Sequence, residues 1–359
     1  MGFTVVGPEA PLAAGIVDAF RAAGLKIFGP TQAAAQLESS KDYAKAFMVR
    51  HNIPTAAYAT FTDPDAAKDY IRQQGAPIVV KADGLAAGKG VIVATTLEEA
   101  LGAIDDILGD GRFGAAGARV VVEECLTGEE ASFIVMCDGK NVLPMATSQD
   151  HKRIGENDTG PNTGGMGSIT DVSVLDRSVQ DRVVSEIVEP TLSGAREEGF
   201  QFKGVLFLGL MLTEDGPKLL EYNVRFGDPE TQAILVRLKT DLLSVFQSIH
   251  NETLGSLPVE WSEGSSACVV AAKKGYPGKY ETNAIIEGLD NVNHESVQVF
   301  HAGTSRTDDG KFVATGGRVL GVTAAAEAPA VASRRVIPRA CPVSPRRTAA
   351  ASSLVHDGS

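Results

Sequence analysis

The side chains best suited to chemistry lie in and just before the sequence RFGDPETQ, residues 225–232. The preceding run KLLEYNV, residues 218–224, predicts a β-strand. Glu221 and Asn223 are two residues apart, so on a strand both side chains point to the same face. Carboxylate and amide oxygens are ligands for hard cations, so this face predicts a Mg²⁺ site. Arg225 would then lie beside phosphates bound to the metal.

A second candidate is the glycine-rich segment KADGLAAGKG, residues 81–90, which joins two predicted strands. Its small residues allow backbone N–H groups to approach an anion, and Lys81 and Lys89 add positive charge. The pattern indicates a phosphate-covering loop, with a plain hairpin turn as the alternative. It is not a Walker A loop, because the glycines are one residue too close and no Ser or Thr follows Lys89.

A third candidate lies between these motifs, in the sequence VVEECLTGEEAS of residues 121–132. A strand that ends near Glu124 can present backbone groups to the edge of an adenine ring. Glu130 follows seven residues after Glu123, and its carboxylate could accept hydrogen bonds from both hydroxyls of a ribose. Taken alone, the segment favours an exposed acidic hairpin, and the nucleotide interpretation depends on its position between the glycine-rich loop and the Glu221–Asn223 pair.

The polar segment of residues 148–170 is predicted to be a long loop, and loops of this length are uncommon unless they are functional or disordered. His151, Lys152 and Arg153 are basic, and the later turn NTGGMG, residues 162–167, is rich in glycine. This combination indicates a site for a substrate phosphate or carboxylate. His151 alone favours a solvated histidine. No GxSxG sequence is present, so the sequence does not support Ser/His/Asp catalysis.

Composition limits the classes of protein to which the chain can belong. A length of 359 residues predicts two or three domains, and a net charge of −12 argues against general binding to nucleic acid or to an anionic membrane. The cysteines are far apart, which predicts neither a zinc site nor a disulfide framework. No apolar run could span a bilayer, and no signal peptide is recognised. We therefore expect a cytoplasmic protein, with a monomer as the default.

The predicted elements alternate between strands and helices. A βα unit at the start and a second short strand at residues 26–28 predict the tail of a doubly wound sheet. Asp63 with Pro64, and Thr96 with Glu99, have the signatures of helix N-termini. Strand-like runs after residue 265 predict a small β-rich domain. Residues 324–359 show no periodicity, which predicts a poorly ordered tail.

Taken together, RFGDPETQ, KADGLAAGKG, VGPEAPL, QDHKR and NTGGMG resemble the phosphoribosylamine–glycine ligase family of the ATP-grasp superfamily, from about Phe3 to Thr323. RFGDPE is specific to that family, whereas the glycine-rich loop and the Glu-x-Asn pair occur in many ATP-grasp enzymes. The resemblance implies an α/β (α+β) fold. It implies a remnant of an N-terminal substrate-binding α/β domain at 1–39, an ATP-grasp domain at 40–250 with a flap at about 55–124, an incomplete β-rich C-terminal domain at 265–323 and a disordered tail at 324–359.

The resemblance also implies an activity. Members of the family join glycine to 5-phosphoribosylamine in de novo purine biosynthesis, with ATP and with Mg²⁺ or Mn²⁺. The glycine carboxylate attacks the γ-phosphate to give glycyl phosphate, which the amine then attacks, and the products are glycinamide ribonucleotide, ADP and phosphate. The implied partners are small molecules, without nucleic acid or membrane. Two alternatives remain open: another ATP-grasp carboxylate–amine ligase or carboxylase, and a truncated nucleotide-binding protein without turnover.

The roles of individual residues are likewise implied by the resemblance. Those that would bind ATP are Lys45, Lys81, Gly88, Lys89 and Gly90 at the phosphates, Glu123, Glu124 and Leu126 at adenine, and Glu130 at the ribose. Glu221 and Asn223 would bind the metal, and the catalytic residues would be Arg225, Asp150 and Lys152. The amine and glycine pockets would be built by Gly7, Pro8, Glu9, Arg153, Asn162, Thr163, Gly164, Gly165 and Asp228, with Glu230 as an orienting residue.

The chain departs from the family pattern at both ends. Family members begin with a strand and a glycine-rich loop several dozen residues before VGPEAPL, so we expect half of the N-terminal domain, which helps to bind the phosphoribosylamine phosphate, to be missing. GGRVLGVTA, residues 316–324, is family-like, but an arginine- and proline-rich tail replaces the helix expected after it. A frameshift or a wrong gene boundary would explain this tail. We therefore expect a complete ATP site and an incomplete amine site.

Overall fold

A computed structural model describes residues 2–85, 90–109, 114–156 and 159–340 of the chain. The chain forms two compact units. The first unit comprises Met1–Met145, Leu175–Phe226 and Leu242–Leu257, and the second comprises Ala146–Val174, Gly227–Asp241 and Pro258–Ser359. Because the RFGDPETQ sequence crosses a boundary, Arg225 belongs to the first unit and Asp228 to the second.

The α-helices of the described residues are α1 (Glu9–Ala13), α2 (Ile16–Ala22), α3 (Gln32–Ser39), α4 (Lys41–Arg50), α5 (Pro64–Gln74), α6 (Leu97–Ile104), α7 (Arg177–Val183), α8 (Glu189–Glu197), α9 (Glu230–Leu235), α10 (Leu242–His250) and α11 (Pro329–Ala340). Short π-helical turns lie at Asp105–Gly109 and Val184–Val188. Single 3₁₀ turns lie at Gly114–Ala118, Leu254–Ser256 and Leu289–Asn291.

The strands of the described residues are β1 (Thr4–Val5), β2 (Ile27–Phe28), β3 (Tyr58–Phe61), β4 (Ile78–Ala82), β5 (Val91–Ala94), β6 (Val120–Glu124), β7 (Glu129–Cys137), β8 (Val142–Pro144), β9 (Ser148–Asp150), β10 (Arg153–Gly155), β11 (Thr159–Asn162), β12 (Gly167–Thr170), β13 (Gly204–Thr213), β14 (Gly216–Asn223), β15 (Ser265–Ala272), β16 (Ala284–Ile285), β17 (Gln298–His301), β18 (Thr304–Arg306), β19 (Phe312–Ala314) and β20 (Arg318–Ala326).

The first unit contains two antiparallel sheets that carry the predicted ATP residues. One has the strand order β3-β6-β4-β5, and its apolar face packs on α5 and α6 through a core that includes Ile71, Val80 and Val122. In the other, β14 pairs with β13, β13 with β7, and β7 with β8. A separate parallel pair, β1 and β2, is the part of a doubly wound sheet that the sequence predicts.

Helix starts in the first unit follow the sequence signals closely. Asp63 accepts a hydrogen bond from the Ala66 N–H at the start of α5. Thr96 and Glu99 form the predicted capping box at the start of α6. Each cap satisfies N–H groups that have no partner within the helix, typically worth about 1 kcal/mol. The caps therefore fix the helices that pack behind the β4–β6 sheet.

The second unit shows that the predicted long loop of residues 148–170 is wrong. This segment contains β9 and β12, which pair antiparallel, and the hairpin of β10 and β11. The sheet of this unit continues from β12 through β15 and β20 to β17. Short strands rich in glycine and polar residues lack the alternation of apolar residues that indicates a strand, so sequence analysis did not predict them.

The predicted disordered tail is also wrong for residues 324–340. Residues 324–326 complete β20, and α11 packs on β15 and β20. Ala332 and Val336 are fully buried and four residues apart, and Val336 packs with Val269 and Val322. Pro329 occupies the first position of the helix, where its missing N–H costs nothing. A helix does follow GGRVLGVTA, and residues 341–359 lie outside the described residues.

Within the part of the chain that the structure describes, none of the helices has the length and the apolar composition needed to cross a bilayer.

Candidate functional site

A pair of buried lysines forms the centre of the site in the first unit. Lys45 Nζ lies 2.7 Å from Glu123 Oε2, and Lys81 Nζ lies 2.8 Å from Glu123 Oε1. Val79 pairs with Glu123 and Lys81 with Val121, so Lys81 and Glu123 are diagonal neighbours on one face of the sheet. Lys45 comes from α4. One carboxylate therefore holds two ammonium groups that are 36 residues apart in sequence.

The lysine pair is kept out of water by the surrounding protein. Lys45 and Glu123 are 2% exposed and Lys81 is 5% exposed. Lys45 Nζ also donates to Thr55 Oγ1 at 2.7 Å, and Lys81 Nζ donates to the Leu220 carbonyl oxygen at 3.3 Å. Burial lowers the pKa of Lys45 to about 8, against the opposing attraction of Glu123. Lys45 is therefore mainly charged at neutral pH and loses its charge in mildly alkaline solution.

Arg225 lies between two carboxylates of the first unit. Its NH2 group is 3.0 Å from Glu38 Oε1, and its Nε is 3.5 Å from Glu9 Oε2. The NH2 group also donates to Asn223 Oδ1 at 3.1 Å. Glu38 accepts a further hydrogen bond from the Val224 N–H at 2.8 Å, and burial raises the pKa of Glu38. These contacts fix the direction in which the guanidinium leaves the end of β14.

Glu221 and Asn223 occupy one face of β14, as the sequence predicts, because Tyr222 between them is buried on the opposite face. Glu221 is opposite Gly209 on β13, where a Cβ would lie 3.3 Å from Glu221 Cγ. The glycine thus leaves room for the carboxylate. Glu221 also acts electrostatically on Lys45 and on Glu38.

The donor set fits a cation that is shared with phosphates. No group of three or more His, Cys, Asp or Glu side chains in the described residues could hold a metal by itself. Mg²⁺, however, typically uses one or two protein carboxylates and completes its shell with substrate phosphates and water. The described charges around β14 and the lysine pair include three cations and four carboxylates, namely Lys45, Lys81 and Arg225 with Glu9, Glu38, Glu123 and Glu221. Further positive charge is therefore needed before a polyphosphate can bind.

The N-terminal end of the glycine-rich loop is hydrogen-bonded to the start of α4. Ser40 Oγ donates to Asp83 Oδ1 at 3.1 Å, and Lys41 Nζ donates to the Gly84 carbonyl oxygen at 3.2 Å. At the C-terminal end of the loop, the Gly90 carbonyl oxygen accepts a hydrogen bond from the Ala82 N–H. The predicted phosphate residues Gly88 and Lys89 lie outside the described residues. The described contacts therefore fix both ends of the loop.

The predicted adenine and ribose residues lie on and after β6. The Glu123 side chain is directed toward Lys45 and Lys81. The Glu124 carboxylate accepts a hydrogen bond at 3.3 Å from the N–H of Ala57, the residue before the edge strand β3. Leu126 is partly buried, and Glu130 is exposed at the start of β7. The roles of Glu124, Leu126 and Glu130 at the nucleotide stay predictions.

The predicted substrate residues at the N-terminus lie where β1 meets α1. Gly7 and Pro8 are exposed, and Glu9 opens the helix and faces Arg225. A Cβ added to Gly7 would meet no atom within 4 Å. Glu9 is therefore the one of these three that the structure connects directly to another predicted residue.

The remaining substrate residues lie together in the second unit. Asp150 pairs with Ser168, and Arg153 pairs with Asn162 across the β10–β11 hairpin. The N–H and the hydroxyl of Thr163 both donate to the Lys152 carbonyl oxygen, each at 2.7 Å. The Gly165 N–H in turn donates to Thr163 Oγ1 at 3.0 Å. The glycine turn and the basic segment are thus one hydrogen-bonded structure.

Two residues of the second unit that sequence analysis missed hold this turn from outside. Arg318, on β20, contacts Gly164, Gly165 and Asp228. Tyr276 accepts a hydrogen bond from the Gly164 N–H at 3.1 Å. In the first unit, Thr55 and Glu38 were missed in the same way. Arg318 belongs to the family-like GGRVLGVTA sequence, which is a signal that could have identified it, whereas nothing distinguishes Glu38 or Thr55 in the sequence.

Comparisons with known proteins show the family to which the chain belongs. Models of phosphoribosylglycinamide synthetase match in chain order: the N domain at residues 1–38, the ATP-grasp (A) domain at 39–231 and the C domain at 266–343. The chain is 56% identical over 333 residues to a phosphoribosylamine–glycine ligase from Vibrio parahaemolyticus, a match that covers 92% of this chain and 77% of that protein.

Solved structures give the same family and a wider fold group. The crystal structure of phosphoribosylamine–glycine ligase from Thermotoga maritima has a TM-score of 0.79 at 35% identity, covering 87% of this chain and 77% of that one. The biotin carboxylase–β,γ-ATP complex from Campylobacter jejuni has a TM-score of 0.67 at 14% identity, covering 92% of this chain and 72% of that one, and shares the fold alone. The chain belongs to the phosphoribosylglycinamide synthetase family, that of the phosphoribosylamine–glycine ligases.

Proposed function

We propose that this protein is an ATP-dependent ligase that joins glycine to 5-phosphoribosylamine in purine biosynthesis and releases ADP and phosphate. The observation that carries the proposal is the match to the three family domains, in order, together with 56% identity over 92% of the chain to a ligase of that name. RFGDPE, which is specific to the family, is intact and lies at the end of the predicted metal strand.

The lysine pair is proposed to bind the phosphates of ATP. Lys45 and Lys81 share one carboxylate, so the three side chains keep a local excess of one positive charge. In a buried site this charge is screened little by water, which makes its attraction for a phosphate strong. Glu123 keeps the two ammonium groups in place, so little reorganisation is needed when the nucleotide arrives.

Glu221 and Asn223 are proposed to hold Mg²⁺ or Mn²⁺ together with the phosphates of ATP. When bound, such a metal neutralises charge that develops on the phosphoryl oxygens. Asn223 Oδ1 accepts one hydrogen bond from Arg225 and retains a second lone pair for a ligand. Arg225, held by Glu9 and Glu38, is proposed to steady the phosphoryl group during transfer.

The reaction needs positioning and charge neutralisation rather than a protein nucleophile. The glycine carboxylate oxygen attacks the γ-phosphorus, the bond to the ADP oxygen breaks, and ADP leaves. The amine nitrogen of phosphoribosylamine then attacks the carbonyl carbon of glycyl phosphate, loses a proton, and phosphate leaves. Asp150, Lys152, Arg153 and the Asn162–Gly165 turn are proposed to place the carboxylate and the amine.

The test is a measurement of ADP formation with glycine and freshly prepared 5-phosphoribosylamine, each omitted in turn, with the ribonucleotide product identified by mass spectrometry. We expect ADP formation and glycinamide ribonucleotide only when both substrates are present. ADP formation that is the same without glycine would refute the ligase. Tight ATP binding with no product would instead favour a nucleotide-binding protein without turnover. ADP formation when bicarbonate replaces glycine would indicate a carboxylase.

A further inference from the structure

Arg318 lies at the first position of β20, in the second unit, with its side chain 23% exposed. Its NH1 group donates to three carbonyl oxygens. One belongs to Gly164, one to Gly165 at 3.2 Å and one to Asp228 at 2.8 Å. Its NH2 group donates to Asp228 Oδ2 at 2.9 Å. One guanidinium thus binds a turn near the middle of the sequence and the RFGDPETQ segment, which are more than 60 residues apart in the chain.

The two segments joined by Arg318 approach each other through their backbones. A Cβ on Gly165 would lie 2.5 Å from Pro229 Cδ, and one on Gly164 would lie 3.1 Å from the Arg318 guanidinium carbon. Gly165 also has a φ of +102°, which disfavours any other residue. Glycine is therefore required at position 165 for this contact, and a side chain at position 164 would press against the Arg318 guanidinium.

The close approach brings carbonyl oxygens together, and carbonyl oxygens repel one another unless a donor lies between them. Three of them, from Gly164, Gly165 and Asp228, converge on Arg318. A guanidinium offers five N–H donors in one plane and keeps its charge at all relevant pH values. Lysine has a compact charge at the end of a flexible chain, and it would not reproduce this planar set of contacts.

Tyr276 holds the same turn from its amide side. Its hydroxyl accepts from the Gly164 N–H at 3.1 Å, and its ring lies against Gly317, the residue before Arg318, where a Cβ would clash with it. Gly164 is therefore fixed at its carbonyl by Arg318 and at its N–H by Tyr276. The turn is connected onward through Thr163 to the main chain of Lys152, beside Asp150 and Arg153.

We infer that Arg318 is a positioning residue for substrate binding, which holds the Asn162–Gly165 turn against Asp228 and thereby sets the basic segment of residues 150–153 for the glycine carboxylate and the amine. Arg318 acts through these residues rather than by contact with ATP. The inference rests on the proposed function, because it assigns the second unit to the two substrates that accept the phosphoryl and acyl groups.

The experiment compares Arg318→Met with wild type in steady-state kinetics and in ATP binding. We expect kcat/KM for glycine to fall on the order of 100-fold, as for a misplaced substrate group, while the Kd for ATP changes by less than about twofold. Arg318→Lys should recover only part of the loss. Arg306→Met is the matched control, because Arg306 is an exposed arginine on β18 that contacts Gly310 and Phe312, and we expect it to behave as wild type.

If Arg318→Met does not fold, Tyr276→Phe tests the same inference, because it removes the other anchor of the Gly164 turn. This variant removes one hydroxyl, keeps the ring, and is expected to raise the KM for glycine by about tenfold with an unchanged Tm. Normal KM and kcat in folded Arg318→Met would overturn the inference, as would an equal loss of ATP affinity and glycine turnover. A wild-type protein without glycine-dependent ADP formation would instead refute the proposed function, which distinguishes the two failures.

Discussion

The lysine pair of the first unit and the glycine turn of the second unit are held in place by different means. Lys45 and Lys81 are side chains buried around a single carboxylate, so their geometry depends on charge pairing in a region that water does not reach. The turn at Gly164 and Gly165 has no side chains to pack, and Arg318 and Tyr276 hold its backbone groups. Removing a charge partner should therefore affect the stability of the first unit most, whereas removing an anchor of the turn should affect substrate binding most.

Glu123→Ala should have the largest effect. It leaves two buried ammonium groups without their shared carboxylate, and breaking a buried pair from one side costs about 3–5 kcal/mol. Urea unfolding followed by circular dichroism measures the change in the free energy of unfolding. Glu124→Ala is the matched control, since the neighbouring carboxylate is exposed, and a loss of similar size in both variants would show that burial of the pair is not the cause.

Glu221→Ala should remove turnover but not the fold. The carboxylate faces the proposed metal and phosphates rather than the core, so we expect kcat to fall on the order of 100- to 1000-fold, as when one transition-state charge contact is lost. The Tm should stay close to that of the control Glu214→Ala, whose exposed carboxylate lies at the turn between β13 and β14. Unchanged metal-dependent activity would refute the metal assignment.

Val336→Ala tests the corrected C-terminus and should have an intermediate effect. Val336 is fully buried against Val269 and Val322, so its truncation should lower the free energy of unfolding by about 1.5–3 kcal/mol. Arg334→Ala changes an exposed position on the same helix and serves as the control. If the two variants were equally stable, α11 would not be part of the core of the second unit.

The pH dependence of ATP binding should show the smallest effect. Burial lowers the pKa of Lys45 to about 8, so its charged fraction falls from about nine tenths at pH 7 to about one tenth at pH 9. We expect the Kd for ATP to rise by up to about tenfold over that range, because the phosphates lose a cation as pH rises. Lys45→Met should bind ATP more weakly than wild type, and its Kd should lack this rise with pH. Identical pH profiles of the Kd in wild type and Lys45→Met would exclude Lys45 from the phosphate site.

Sequence analysis predicted the family and the mixed α/β fold, and the comparisons confirm both. It succeeded where the signal is local, as at the caps of Asp63 and Thr96 and in the placement of Glu221 and Asn223 on one face of a strand. The role of Glu221 and Asn223 as metal ligands stays a prediction. It failed for the strands of residues 148–170, whose short polar segments become strands only through pairing with β15 and with each other. It also failed for α11, where two buried residues in an arginine-rich segment give too weak a periodicity.

The residues that sequence analysis missed share a physical reason. Thr55, Glu38, Tyr276 and Arg318 act on groups distant in the chain, and all four act at least partly on backbone atoms. A backbone partner leaves no pattern of residue types from which it could be recognised. The assignments of Gly88, Lys89, Glu130 and the other site residues to particular substrate atoms stay predictions, as do the cytoplasmic location and the monomeric state.

The most direct test compares Lys81→Met with Arg318→Met, measuring the Kd for ATP and kcat/KM for glycine in both variants and in wild type. We expect opposite results: Lys81→Met weakens ATP binding by at least about tenfold, and Arg318→Met lowers kcat/KM for glycine with ATP binding intact. If both variants lost ATP affinity and glycine turnover in the same proportion, the division into a charge-paired ATP site and a backbone-anchored substrate site would be contradicted.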